Sequence, residues 1–386
     1  TSYFASPPAG QAPPTAASPP TAEASPMPTE VSYPTREAYP PPQGWTPEPT
    51  ATPEPTPTPT TLPVPILQVQ PLAAEWGTGE RIAFLRDGDL WLVRPDGSAQ
   101  AQVTVSGNVG TIFGWSWDNS LLLLGLSSSG YTWLDLWILS ADGSSARQIT
   151  QGQSITFATW SPVDLSFAYV TLEGRVYVVN LEKNTPGQLE GVSAGLQGTA
   201  WSPDGTKLAI LLLPPSWQPG EFSEAVDIGV WNLQDGAITN LTNTNDDPSP
   251  ITNYFPVWSV DGTKILFHSE RNPNRQFWYV MDSDGSNLRH LDTVPLLAAL
   301  AVIRSPVADQ VVMNVGGEVW LLDFEGHMDK IAETVWPCCP YPPYSWSPDG
   351  TQLVLVEPGG KLVRLDLRTL ASEMIAETGS NPVWSH

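Results

Sequence analysis

The chain has 386 residues, with 17 Lys and Arg against 40 Asp and Glu, and a formal charge of −23. A field of that sign repels phosphate backbones and anionic lipid, which argues against nucleic acid as a partner; acidity by itself mainly serves solubility. No run of about eighteen apolar residues occurs, so no segment reads as a membrane-spanning helix.

Twenty of the 41 prolines fall in residues 1–65. Backbone so rich in proline offers few donors and little apolar surface, so residues 1–65 read as an extended arm and linker and residues 66–386 as the globular domain. Within the arm, Thr46–Thr61 is almost entirely Thr, Pro, Glu and Ala, a stiff spacer reaching about 45–50 Å at ~3.1 Å per residue. The earlier part carries Tyr3, Phe4, Tyr33, Tyr39 and Trp45, spaced like anchors for grooves on another molecule; the alternative is a disordered stalk whose aromatics are incidental. The Ser/Thr/Pro composition, with a start at Thr1 rather than Met, is read as an exported protein of the cell surface or exterior whose signal has been removed, the start also being open to truncation.

From Ile66 onward a phrase recurs at intervals of roughly forty residues. Three copies are nearly identical: Trp201-Ser202-Pro203-Asp204-Gly205, Trp258-Ser259-Val260-Asp261-Gly262 and Trp346-Ser347-Pro348-Asp349-Gly350. Degenerate copies begin at Trp115 and Trp160, and at Arg304-Ser305-Pro306 the Trp is lost while Ser-Pro remains. Apolar runs follow, such as Lys207–Leu213, Lys264–His268 and Gln352–Val356, and then second runs ending in Asp-Gly turns, as at Phe277–Met281 and Leu136–Leu139. Short strands punctuated in this way predict consecutive antiparallel meanders. Asp-Gly supplies the positive φ of a tight turn, and the Trp is a large apolar plate able to fill the wedge between stacked sheets.

The stretch from Trp258-Ser259-Val260-Asp261-Gly262-Thr263-Lys264 to Trp278-Tyr279-Val280-Met281 and Asp284-Gly285 resembles the WD40-like repeat of TolB-type β-propellers, found also in the propeller domains of prolyl oligopeptidase relatives. The resemblance covers about 320 residues and implies an all-β, seven-bladed propeller. Inner strands are predicted to end near Trp115, Trp160, Trp201, Trp258, Ile303, Trp346 and Trp384. The last, Asn381–His386, lacks its own outer strands; these are expected at the front of the domain, as Arg81–Leu85, Leu90–Val93 and Gln102–Val105, giving a 3+1 closure by the C-terminal strand. Trp76-Gly77-Thr78-Gly79 mimics the phrase and leaves an eightfold count as an alternative.

Gly-x-Ser-x-Gly is absent. His268, His290, His327 and His386 lie on different repeats without metal-ligand spacing, and read as surface or strand residues. Asp282-Ser283-Asp284-Gly285-Ser286-Asn287 is similar to the opening of a calcium loop, but Thr293 and Val294 stand where the closing Glu would fall, so a hairpin turn is the better reading. No cofactor and no metal are expected. The adjacent Cys338 and Cys339 are open to a vicinal disulfide, to bridges with a second molecule, or to two free thiols.

Three loops are expected to gather on one face: Pro214–Ala225 with Trp217 and Phe222; Asn243–Tyr254 with Asp246, Asp247 and Tyr254; and Trp336–Tyr344 with Trp336, Tyr341 and Tyr344. Exposed aromatics beside acids suit the binding of protein or carbohydrate; alternatively they pack their own loops. The expectation is a non-catalytic structural or binding protein that assembles with copies of itself through the arm, with filaments as an extreme. The alternatives are a monomeric TolB-like module binding envelope proteins or glycans on a stalk, and a propeller hydrolase or lyase with its site in the central channel.

Overall fold

The computed structural model describes residues 67–77, 79–127, 134–183, 185–193, 198–214, 225–244, 251–272, 275–291, 300–334 and 342–386. The chain divides between Thr61 and Leu62, and every described residue lies in the second unit.

A 3-10 helix at Ala74–Gly77 precedes the strands. The first group is β1 (Ile82–Arg86), β2 (Asp89–Val93) and β3 (Gln100–Gln102). Next come β4 (Val109–Trp115), β5 (Leu121–Ser127), β6 (Leu134–Ser140) and β7 (Ala146–Gln148), then β8 (Ile155–Trp160), β9 (Ser166–Thr171), β10 (Arg175–Asn180) and β11 (Thr185–Ser193). The fourth group is β12 (Ala200–Trp201), β13 (Lys207–Leu212), β14 (Asp227–Asn232) and β15 (Ile238–Asn240). The fifth is β16 (Asn253–Trp258), β17 (Lys264–Asn272), β18 (Arg275–Asp282) and β19 (Arg289–His290). The sixth is β20 (Leu300–Arg304), β21 (Gln310–Val315), β22 (Glu318–Asp323) and β23 (Met328–Glu333). Last are β24 (Tyr344–Trp346), β25 (Gln352–Val356), β26 (Leu362–Asp366), β27 (Ser372–Ala376) and the single strand β28 (Ser380–Trp384).

Each group is an antiparallel meander in chain order, as in a β-propeller, and β28 adds to the first as β28-β1-β2-β3. The meanders β4–β7 and β8–β11 are joined by one pairing between the starts of β6 and β8, Leu134 with Ile155. Second strands such as β9 and β25 are buried along nearly their whole length, on both faces. That is the pattern of sheets covered on either side by neighbours rather than of a sheet with one wet face. The apolar clusters accordingly span pairs of sheets: Leu92 packs with Trp115 and Leu124, Ala168 with Trp201 and Leu208, and Ile82 with Val354 and Trp384.

The repeated phrase builds one turn. In Trp201–Gly205 the Ser202 hydroxyl donates to Asp204 at 2.6 Å and accepts the Lys207 N–H at 2.9 Å, while Asp204 accepts the Thr206 N–H at 3.0 Å. Gly205 sits at φ 68°, and the same bonds recur from Ser259 and Ser347. Where the phrase degenerates, Asn119 takes the left-handed place at φ 58°, consistent with the tolerance of Asn for that region.

Two expectations need correction. Trp76 lies in the 3-10 helix, 4% exposed and under the guanidinium of Arg94, so its phrase does not end a strand. The outer strand placed at Gln102–Val105 is instead Gln100–Gln102, because Thr104 leaves the ladder to clasp β2. Its hydroxyl donates to Asp89 and accepts the Leu90 N–H, both at 2.9 Å. The clasp returns as Asp135 with Thr150 and as Asp227 with Thr242, always fifteen residues apart. At Asp227, burial pushes the carboxyl up, but donors from Asn240, Thr244 and Thr242 outweigh it and hold the group below the usual carboxylate value.

Candidate functional site

The first strands of the six groups after the first, β4, β8, β12, β16, β20 and β24, together with β28 beside β1, wall one shared cavity of about 430 Å³. They end at Trp115, Trp160, Trp201, Trp258, Arg304, Trp346 and Trp384. All six tryptophans are buried, as expected of inter-sheet plates, but they do more than fill space. Trp115 donates its indole N–H to the carbonyl of Val383 at 3.1 Å, Trp160 to Gly114 at 3.1 Å, Trp201 to Thr159 at 3.2 Å, Trp258 to Ala200 at 3.0 Å and Trp346 to Ile303 at 3.3 Å. In every case the acceptor is the residue just before the aligned Trp or Arg of the preceding sheet. The pattern is broken twice. Trp384 turns its indole to the Glu80 carboxylate at 3.1 Å, with its backbone N–H on Ser345. Arg304 replaces the remaining tryptophan, and its Nη1 is buried without a hydrogen-bond partner.

Phe255, Ala301 and Asn381 hold left-handed backbone at φ 51°, 56° and 46°. Each stands three residues before the end of its strand, at a slip in register. Left-handed non-glycine residues cost on the order of 1–3 kcal/mol each, and bulges of this kind re-aim side chains. Here two of them couple neighbouring sheets: Asn381 accepts Thr111 Oγ1 at 2.9 Å and the Ile112 N–H at 2.6 Å, and the Ala301 carbonyl accepts the Tyr344 hydroxyl. The third carries Phe255, which with the partly buried Phe113, Phe157 and Val302 makes the wall apolar. The described lining contains no Asp or Glu; its basic side chains are Arg304 and His386.

The residues singled out from sequence do not form this site. Tyr344 is 0% exposed and bonded to Ala301, so the expectation of a surface aromatic is corrected for it: it begins β24 and packs between sheets. Tyr254 is half-buried, its ring 6.1 Å from that of His268. Trp217, Phe222, Asp246, Asp247, Trp336, Tyr341, Cys338 and Cys339, and the arm residues Tyr3, Phe4, Tyr33, Tyr39 and Trp45, lie outside the described residues. The Asp284-Gly285 segment makes a hairpin turn between β18 and β19, with Asp284 accepting the Ser286 N–H at 2.9 Å. The histidines do not all lie on different repeats: His268, buried in β17, and His290, in β19, share the fifth group, and His327 is exposed with Nδ1 2.7 Å from Asp323. Among the described residues no three His, Cys, Asp or Glu side chains form a group able to hold a metal ion. What the sequence reading missed is Arg304: its departure from the repeat was visible, and its position on the cavity wall was the missing fact.

No protein-family model matches the chain. Among solved structures it is similar to the tricorn protease, with TM-score 0.56 and 12% identity over 83% of this chain and 36% of that one. It is similar also to oligogalacturonate lyase from Vibrio parahaemolyticus, with TM-score 0.53 and 15% identity over 77% and 85%. A third likeness is to TolB from Acinetobacter baumannii, with TM-score 0.50 and 16% identity over 84% and 88%. The fold is a β-propeller. In propeller terms the four-stranded groups are blades, the cavity is the central channel, and the Trp-to-carbonyl bonds run from blade to blade around it. Identities this low carry the fold alone, since one scaffold can host unrelated functions.

Proposed function

We propose that this protein is a non-catalytic binding module: a seven-bladed propeller, closed 3+1 by β28, that takes its ligand in the central channel. The observation that carries the reading is the wall of about 430 Å³ of apolar space without a described carboxylate. Pockets of that size and character bind small ligands or the tip of a larger one; His386 is the wall's one imidazole, and no described Asp or Glu on the lining stands beside it to complete an acid–base pair. The pairing of β28 with β1 supports the closure. Filling the channel tests the site. Fragments that raise the melting temperature and perturb Trp fluorescence of the wild type should do neither in a Val302→Trp variant; unchanged binding in the variant would move the site elsewhere. Turnover of oligogalacturonate or other glycans, with or without a divalent metal, would overturn the non-catalytic reading.

The arm has a role of its own in this proposal. Aromatics in the part of the proline-rich arm that precedes its stiff spacer support assembly by docking on a neighbouring copy outside the cytoplasm, which does not close on itself and propagates. Light scattering of the full chain should show oligomers that deletion of residues 1–60 abolishes. Discrete particles of the chain mass, 41.8 kDa, would instead leave a monomeric TolB-like module. Among the described residues no helix is long and apolar enough to cross a membrane.

A further inference from the structure

The one position at which the tryptophan ring gives way to a cation lies on a channel wall lined largely by apolar side chains and free of described Asp or Glu. Arg304 ends β20 where the repeat calls for Trp, and Ile303 just before it still accepts the indole N–H of Trp346, so the blade itself is placed like the others. The guanidinium therefore occupies a tryptophan's site without a tryptophan's bond: its Nη1 is buried and unpartnered. The nearby carboxylate of Asp309 is engaged by the Val260 N–H at 2.6 Å. Burial holds Arg304 below the ordinary arginine value, with Asp309 opposing that shift; arginine stays protonated nonetheless. A partly buried cation with an unused donor gains when an anion completes it, and a planar guanidinium matches a carboxylate in two-point geometry.

We propose that the channel binds a monocarboxylate on an apolar body, with Arg304 receiving the carboxylate and Phe113, Phe157, Phe255 and Val302 receiving the apolar part. This rests on the binding-module reading and specifies its ligand class. The net charge of −23 opposes an anion at long range, but salt confines that opposition to about 8 Å at physiological ionic strength, whereas the guanidinium acts at contact. The same chemistry has two sources, a free organic acid or the C-terminal carboxylate of an apolar peptide.

The test uses matched probes on the full chain, read by calorimetry and by the fluorescence of the channel tryptophans. The probes are 4-phenylbutyrate against its amide, and the tripeptide Phe-Leu-Phe with a free C-terminus against its amidated form. The wild type should prefer at least one acid over its amide by about tenfold or more, the range of a charge-assisted hydrogen bond. Whether one pair or both show the preference tells the two sources apart. Arg304→Met should abolish the preference while retaining binding of the amide, and Arg304→Lys should keep part of it. Equal binding of acid and amide by the wild type would overturn the role of Arg304 and leave the channel as a neutral binding site. Binding of neither would overturn the ligand class, with the Val302→Trp comparison still deciding the channel. The wild-type acid-to-amide ratio needs no variant, so the inference stays testable if Arg304→Met fails to fold.

Discussion

The indole N–H of Trp258 meets the carbonyl of Ala200, fifty-eight residues earlier in the chain, at 3.0 Å. One bond thus pins the inner strand of one blade to the inner strand of the blade before it, at a residue 1% exposed. Trp258→Phe keeps much of the apolar plate but leaves a carbonyl without its donor, and should cost about 1–3 kcal/mol. Trp258→Ala adds a cavity and should cost about 3–5 kcal/mol. Urea denaturation separates the two, and a Phe variant as stable as the wild type would show that the bond contributes nothing.

Gly205 and Gly236 share a left-handed backbone, φ 68° and 76°, but not a neighbourhood. A Cβ on Gly205 would lie 2.3 Å from Cγ2 of Val163, on the turn of the preceding blade, while a Cβ on Gly236 meets nothing within 4 Å. Gly236→Ala should therefore lose only the conformational term, about 1 kcal/mol. Gly205→Ala should lose roughly 1–2 kcal/mol more through overpacking, and Val163→Ala should restore part of that excess. Equal losses at the two glycines would refute the contact.

His268 is 3% exposed, with neither ring nitrogen hydrogen-bonded, and burial pulls it down to about 4. Its folded value lies below its unfolded one, so between about pH 6.5 and 4 the unfolded chain binds a proton that the native ring refuses. Stability should accordingly fall as pH drops through that window, by roughly 3 kcal/mol in total, and level off below it. Denaturant titrations at several pH values on the wild type and His268→Phe would detect this: the variant should lose most of the slope between pH 6.5 and 4. An undiminished slope would assign the effect to other groups.

Ala301 holds φ 56° at 5% exposure. Replacement by Gly relieves the left-handed strain while giving up a methyl group and chain stiffness, terms of similar size. Ala301→Gly should lie within about 0.5 kcal/mol of the wild type, whereas Ala209→Gly, fully buried in β13, should cost about 1–2 kcal/mol. A comparable loss at both positions would mean that the bulge at Ala301 is not strained.

The fold was legible because its signal is local and repeated. A Ser-x-Asp-Gly turn sets its own geometry within five residues, so the strand ends at Trp201, Trp258 and Trp346 follow from spacing alone. The clasp of Asp89, Asp135 and Asp227 by a Thr fifteen residues on was equally periodic, and went unread because neither residue is apolar and the hydrophobic pattern passes over both. The channel was not legible. Phe113, Phe157 and Phe255 reach it through slips in register that no alternation predicts, and Arg304 resembles a decayed repeat until the neighbouring blades surround it. Tyr344 failed for the opposite reason: a Pro-rich flank suggested a surface loop, while the ring itself is the plug between two sheets.

Arg81 and Ser385 exchange backbone and side-chain bonds across 304 positions of sequence, beside the pairing of β28 with β1. A ribosome delivers β1 long before β28, so throughout translation the first sheet waits with one edge of unpaired amides bare, and must be shielded or left unfolded until the final strand emerges. The pairing of β28 with β1 is therefore the late, long-range event of biogenesis, and the interval before it is when this chain is most open to pairing with the wrong strand.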